Sequence, residues 1–230
     1  MGGDVALRPE SIVVCLDMSA EMHAPWDRKR SGGLTRLEVV VSALKNWIIQ
    51  KDLLAPVDWG IVTFDDKAEL ALDLTLERDM LLASLDSLVP ELVSSEMPFD
   101  FSQIDSVVGR DVRWSDGRLR RVVVVFGRSD VVPVISKPIC ACDALDVIYV
   151  HHKPDAENKC QDVYSFLTTI GLPKKTSSFF FETSASLPKL QEHCALLLAH
   201  PDLREPQDTM RSKLDYQRPP SYLDIVATPA

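Results

Sequence analysis

Ser11-Ile12-Val13-Val14-Cys15-Leu16-Asp17-Met18-Ser19-Ala20-Glu21 is an apolar run that ends in an acid, a hydroxyl and a second acid. A short apolar stretch with β-branched residues, closed abruptly by polar groups, reads as a strand buried on both faces at the centre of a parallel sheet. Open α/β sheets place their ligands at the carboxyl ends of such strands. The triplet Asp17, Ser19 and Glu21 is therefore a fold marker and the first candidate site.

Working outward, residues 35–51 read as a helix. Thr35 is a plausible N-cap with Glu38 three residues on, and Leu37, Val40, Val41, Leu44, Trp47 and Ile48 recur at helical spacing. Strands are predicted over 57–64 and 67–74, joined by Asp65-Asp66 into an antiparallel hairpin. Helices follow over 77–88 and 101–109, separated by a loop over 90–100. Residues 121–126 and 145–151 read as central strands, 162–170 as a short helix, 178–183 as an aromatic edge strand and 187–199 as a closing helix. Alternating strands and helices give an α/β fold with a doubly wound, mostly parallel, Rossmann-type sheet and one antiparallel edge strand.

At 230 residues the chain suits one such domain. The expected layout is a short N-terminal segment over 1–8, a domain over 9–199 and an extended C-terminal tail over 200–230, where prolines and scattered charges replace periodic apolar residues.

A formal net charge of −9 argues against reading a phosphate backbone, so no direct nucleic-acid contact is expected. The basic clusters at 27–30 and 118–121 read as solvated loop charge. No stretch has the length and apolarity of a membrane span or a secretory signal, and the 5 cysteines do not suggest a disulfide scaffold. Cytoplasmic and nuclear residence without membrane contact is the expectation.

The strand end nearly matches the D-x-S-x-S metal motif of von Willebrand factor A domains, with Glu21 in place of the last serine. Such domains complete the magnesium shell with a threonine from a second loop and an acid from a third. The second loop here reads Met97-Pro98-Phe99-Asp100-Phe101, without threonine, and the third reads Phe126-Gly127-Arg128, where an arginine would repel a dication. Asp17 and Ser19 are thus vestigial metal candidates expected to cap loop amides, and neither metal nor other cofactor is expected.

A haloacid-dehalogenase reading fails because Ser19 stands where its second acid would donate the proton. Hydrolase, Walker and dinucleotide motifs are absent, which leaves no catalytic residue to name. His151-His152 reads as a solvated loop pair, Cys140-Ala141-Cys142 as too weak a spacing for zinc, and Trp26 and Trp114 as loop residues suited to a partner surface.

Val13-Val14-Cys15-Leu16-Asp17-Met18-Ser19-Ala20-Glu21-Met22, Val147-Ile148-Tyr149-Val150-His151 and Leu196-Leu197-Leu198-Ala199-His200-Pro201 together resemble the BRISC-complex family of forty-kilodalton mediators of interaction and targeting. The resemblance implies a von Willebrand factor A-like, noncatalytic scaffold in a lysine-63-specific deubiquitinase assembly, BRISC or the related breast-cancer-susceptibility A complex, with roles in ubiquitin signalling and the DNA-damage response. It further implies docking on the ubiquitin-E2-variant subunit, and through it on a JAMM-type deubiquitinase and its MPN-like scaffold. The tail segment that would dock comprises Arg218, Pro219, Pro220, Ser221, Tyr222, Leu223, Ile225 and Val226, apolar groups that folding onto a partner would explain. The alternative is a metal-dependent A domain that binds an acidic protein ligand.

Overall fold

A computed structural model of the chain describes residues 7–27, 33–90, 97–170 and 178–217. Its 6-stranded sheet has the order β3-β2-β1-β4-β5-β6, with strands β1 Glu10–Asp17, β2 Asp58–Phe64, β3 Ala68–Thr75, β4 Leu119–Phe126, β5 Ala144–His151 and β6 Phe180–Ser184. Every neighbouring pair is parallel except β2 and β3, the expected hairpin. Helices α1 Ala20–His23, α2 Arg36–Leu54, α3 Arg78–Asp86, α4 Ser102–Arg110, α5 Cys160–Leu167, α6 Leu187–Leu197 and α7 Gln207–Gln217 complete it, with a 3-10 turn at Pro201–Leu203.

Strand β1 is buried along its whole length, and its side chains alternate between two cores. Ile12, Val14 and Leu16 face Leu44, Trp47, Trp59 and Leu190, while Val13 and Cys15 face Phe64, Phe101, Phe126 and Val163. Helices α2 and α6 cover the first face, and α4 and α5 the second. The capping box of α2 forms as its sequence predicts. The Glu38 amide donates to Thr35 Oγ1 at 3.2 Å, and the Thr35 amide donates to Glu38 Oε2 at 2.6 Å.

The chain winds from β1 through β2 to β3 in one direction and returns through β4, β5 and β6 in the other. The reversal falls between β1 and β4, so their carboxyl ends form the switch-point crevice where this architecture receives ligands. Asp17 closes β1 there, and Gly127-Arg128 follow β4.

The extended tail expected from residue 200 does not describe 201–217, which hold the 3-10 turn and α7. Arg204 is the physical reason. Its Nη1 donates to Asp146 Oδ1 at 2.7 Å and its Nη2 to Oδ2 at 3.0 Å, and its guanidinium lies 4.4 Å from the Phe179 ring centroid. Residues 218–230, with the proposed docking segment, lie outside the described residues, as do Arg28, Lys29 and Arg30.

The other basic cluster is not solvated loop charge. Arg121 is fully buried in β4 and donates to Glu10, Asp146 and the Leu197 carbonyl. Arg118 reaches the Glu10 carbonyl at 2.7 Å and pairs with Asp58 at 2.9 Å. Strand periodicity turns Arg121 into the core, where two buried acids receive it.

Candidate functional site at the carboxyl ends of β1 and β4

Asp17 is fully buried, and both of its carboxylate oxygens are engaged. Oδ1 accepts the Ser19 amide at 3.0 Å and Arg128 Nε at 3.2 Å, while Oδ2 accepts the Gly127 amide at 3.0 Å. The expected capping of loop amides holds for Asp17. Ser19 contributes its amide, and its hydroxyl is buried without a protein partner.

Arg128 was expected to repel a cation, and its geometry goes further. Its guanidinium bridges Asp17 to Asp65, with Nη2 at 2.7 Å from the Asp65 carbonyl and 2.9 Å from Oδ1. Phe99 closes over it at 5.5 Å. One cation thus serves two acids and a carbonyl, as a bound metal would, but through directed N–H bonds.

Glu21 also acquires a role. Its Oε1 accepts the Ser129 amide at 2.7 Å, and its Oε2 accepts the Ser129 hydroxyl at 2.6 Å. A serine could not span this gap, so the longer acid ties α1 to the loop after β4. Arg36, the first residue of α2, lies 3.6 Å from Glu21 and donates to the Gly127 carbonyl and, at 3.4 Å, to that of Val150. Gly127 is packed so closely that a Cβ would stand 2.2 Å from Met22 Sδ.

Magnesium requires about six oxygen ligands near 2.1 Å in octahedral order. Here the Asp17 oxygens face N–H donors, and among the described residues no group of three or more His, Cys, Asp or Glu could hold a metal. Asp100, the acid of the second loop, is committed elsewhere. Burial pushes its carboxyl up, but bonds from Ser136 and Ser102 outweigh this and hold it at about 2. Asp130 is exposed and donates its amide weakly to Glu21. The residues present do not fit a divalent cation.

The remaining candidates disperse. His151 and His152 are both buried rather than solvated: His151 closes β5 with its ring stacked on Tyr149 at 4.6 Å, and His152 follows directly after the strand. Burial pushes His151 down in pKa. Trp26 and Trp114 are half-buried against the two cores, and Trp114 Nε1 donates to the Val108 carbonyl. Cys140 is exposed and Cys142 buried, and all 5 thiols are free. A polar crevice of about 260 Å³ beside Glu21, Arg36 and Ser129 falls below the roughly 300–1,000 Å³ of small-molecule pockets.

No family model matches the sequence, and no curated protein matches it either. Solved structures do. The SpRpn10 VWA domain superposes with a TM-score of 0.55 at 14% identity, covering 82% of this chain and 95% of that domain. The chain has a von Willebrand factor A-like fold. BatB of Bacteroides thetaiotaomicron matches at a TM-score of 0.54 and 15% identity over 81% of this chain and 96% of its own. Proximal thread matrix protein 1 of the mussel byssus, with a zinc-occupied MIDAS motif, matches at 0.55 and 14% over 83% of this chain and 45% of its own. Within this von Willebrand factor A-like fold, the switch-point crevice is where Arg128 now sits.

The sequence had indicated Asp17 and the missing ligands. It did not indicate that Arg128 would fill the seat or that Glu21 would bind the next loop. A cation following β4 where an acid was expected was the available signal for the first; nothing local signalled the second.

Proposed function

We propose that this chain is a noncatalytic scaffold subunit of a lysine-63-specific deubiquitinase assembly of the BRISC or breast-cancer-susceptibility A type. The observation that carries the reading is the Arg128 guanidinium on Asp17 and Asp65. A domain whose cation is part of its own chain has no ion to offer an acidic ligand and must recognise partners through protein surface. The metal-dependent alternative loses its physical basis at the same point.

The segments that carry the family resemblance support the reading through what they do. Asp17 and Glu21 of the first organise the loop after β4. The carbonyls of Leu197 and Leu198 in the third receive the buried cations Arg121 and Lys51. A scaffold role also suits the chemistry of Cys160, the first residue of α5. Burial pushes Cys160 up, opposite to what a nucleophile needs.

In this reading residues 218–226 dock on the ubiquitin-E2-variant subunit and thereby join the JAMM-type deubiquitinase and its MPN-like scaffold in cytoplasm and nucleus. The test is affinity capture with the full chain and with a form lacking 218–230. The full chain should retain the ubiquitin-E2-variant subunit, and the truncation should weaken that binding at least tenfold. Equal retention removes the tail from the proposal, and failure of the full chain to retain the subunit removes the complex.

A further inference from the structure

At the amino ends of the strands a cavity of about 500 Å³ opens beside Glu10, where β1 begins, and its size falls within the roughly 300–1,000 Å³ of small-molecule pockets. Lys51, Glu10 and Arg118 line it together with Leu7, Leu54 and Leu203. The two cations meet at Glu10. Lys51 pairs with its carboxylate, and Arg118 Nη2 donates to its carbonyl at 2.7 Å. Lys51 and Glu10 are buried, whereas the three leucines are exposed although they border one cavity. Buried charge beneath an apolar rim suits a ligand with one charged end and one apolar end.

Both cations keep a donor in reserve. The Lys51 ammonium carries three N–H groups, and the Glu10 carboxylate and the Leu198 carbonyl, at 3.0 Å, take two of them. Arg118 spends Nε and Nη2 on Ser11, Asp58 and the carbonyls of Glu10 and Pro56, which leaves Nη1 without an acceptor among the described residues. The acid between the two cations is already divided. Glu10 gives Oε1 to Arg121 at 3.0 Å and Oε2 to Lys51. Burial accordingly pushes Lys51 down in pKa even with Glu10 beside it, as for an ammonium that shares its counter-ion.

We propose that this cavity binds a small aliphatic carboxylate, its anion received by Lys51 and Arg118 and its hydrocarbon tail laid over Leu7, Leu54 and Leu203. A carboxylate offers two oxygens, one for each unspent donor, and charge-assisted bonds of this kind are the strong ones. Inorganic phosphate would turn oxygens against the leucines as well, which an apolar rim disfavours. A peptide carboxyl terminus has the same anionic group but carries polar amides along its tail, and the leucines offer those no partner.

The experiment titrates the full chain with sodium octanoate by calorimetry, with the melting temperature as a second readout. Octanoate should bind saturably and raise the melting temperature. Octanol, which lacks the charge, acetate, which lacks the tail, and an N-acetylated leucine dipeptide should each bind at least about tenfold more weakly, the factor that one hydrogen bond to a charged group carries. Lys51→Met should weaken octanoate by the same factor. If Lys51→Met does not fold, Leu54→Asp gives the answer, because it sets an acid beside the tail at an exposed position. Absence of saturable binding, octanol, acetate or the dipeptide matching octanoate, or unchanged affinity in the folded variant each overturns the proposal.

Discussion

The two ends of the sheet use the same chemistry for different ends. At the amino ends of the strands, Lys51, Arg121 and Arg204 meet Glu10 and Asp146, and all five side chains are buried. At the carboxyl ends, Arg128 meets Asp17 and Asp65, and the Asp65 side chain is 16% exposed. The lower network joins β1, α2, β4, β5 and the root of α7. The upper one joins the end of β1 to the loops that follow β2 and β4. Desolvation makes the lower charges interdependent, so they specify which elements meet, whereas the upper guanidinium occupies a ligand position and holds loops.

This contrast is broken most easily at Asp146. Asp146→Ala leaves Arg121 and Arg204 buried without their shared acid, and equilibrium urea unfolding should show a loss of about 3–5 kcal/mol. A loss near that of an exposed ion pair would mean that the lower network is not interdependent. The same residue sets an acid limit. Burial alone would raise the Asp146 carboxyl, but Arg204, Arg121 and the Phe179 amide hold it below its ordinary value. A carboxyl depressed in the folded state contributes above its unfolded pKa of about 3.9 and loses that contribution as pH falls through the folded value. The acid limb below about pH 4 should therefore flatten in Asp146→Ala.

At the upper site Arg128→Ala should cost less, about 2 kcal/mol, because Asp17 keeps the Ser19 and Gly127 amides as charge-assisted donors. A cost equal to that of Asp146→Ala would make the two ends equivalent. Lys51→Met should cost less still, within about 1 kcal/mol. Three cations share two acids in the lower network, and burial already pushes Lys51 down. A large loss there would show that Glu10 depends on both of its cations.

The same contrast explains what could be read in the sequence. Local chemistry was legible: the Thr35 and Glu38 capping box, the hairpin around Asp65-Asp66, and the apolar strand ending at Asp17 all depend on neighbours within a few residues. The charge networks depend on partners far away. Arg128 and Asp17 are 111 residues apart, and Arg121 and Glu10 are equally distant. Arg121 sits in a run that looks basic and solvated, yet it opens the apolar stretch of β4, and that position was the available sign of burial. Helix α7 was illegible for another reason. Among its described side chains, the attachment uses a polar amide, a thioether and a guanidinium, of which only the thioether of Met210 would register as apolar.

The smallest expected effect separates the two ends most cleanly. Magnesium in the millimolar range should leave the melting temperature of the unaltered chain unchanged. An ion bound only to the folded state stabilises it by RT ln(1 + [L]/Kd). To reach Asp17, however, it must first displace Arg128. If that costs about 2 kcal/mol, apparent affinity falls roughly thirtyfold, since about 1.4 kcal/mol is a factor of ten. The lower network offers magnesium no opening, because its five side chains are buried and its cations hold both acids. A melting shift in the unaltered chain that Asp17→Asn abolishes would show that Arg128 swings aside at little cost. The upper site would then be an occupied ligand seat that can be vacated, and its likeness to the lower network would end at composition.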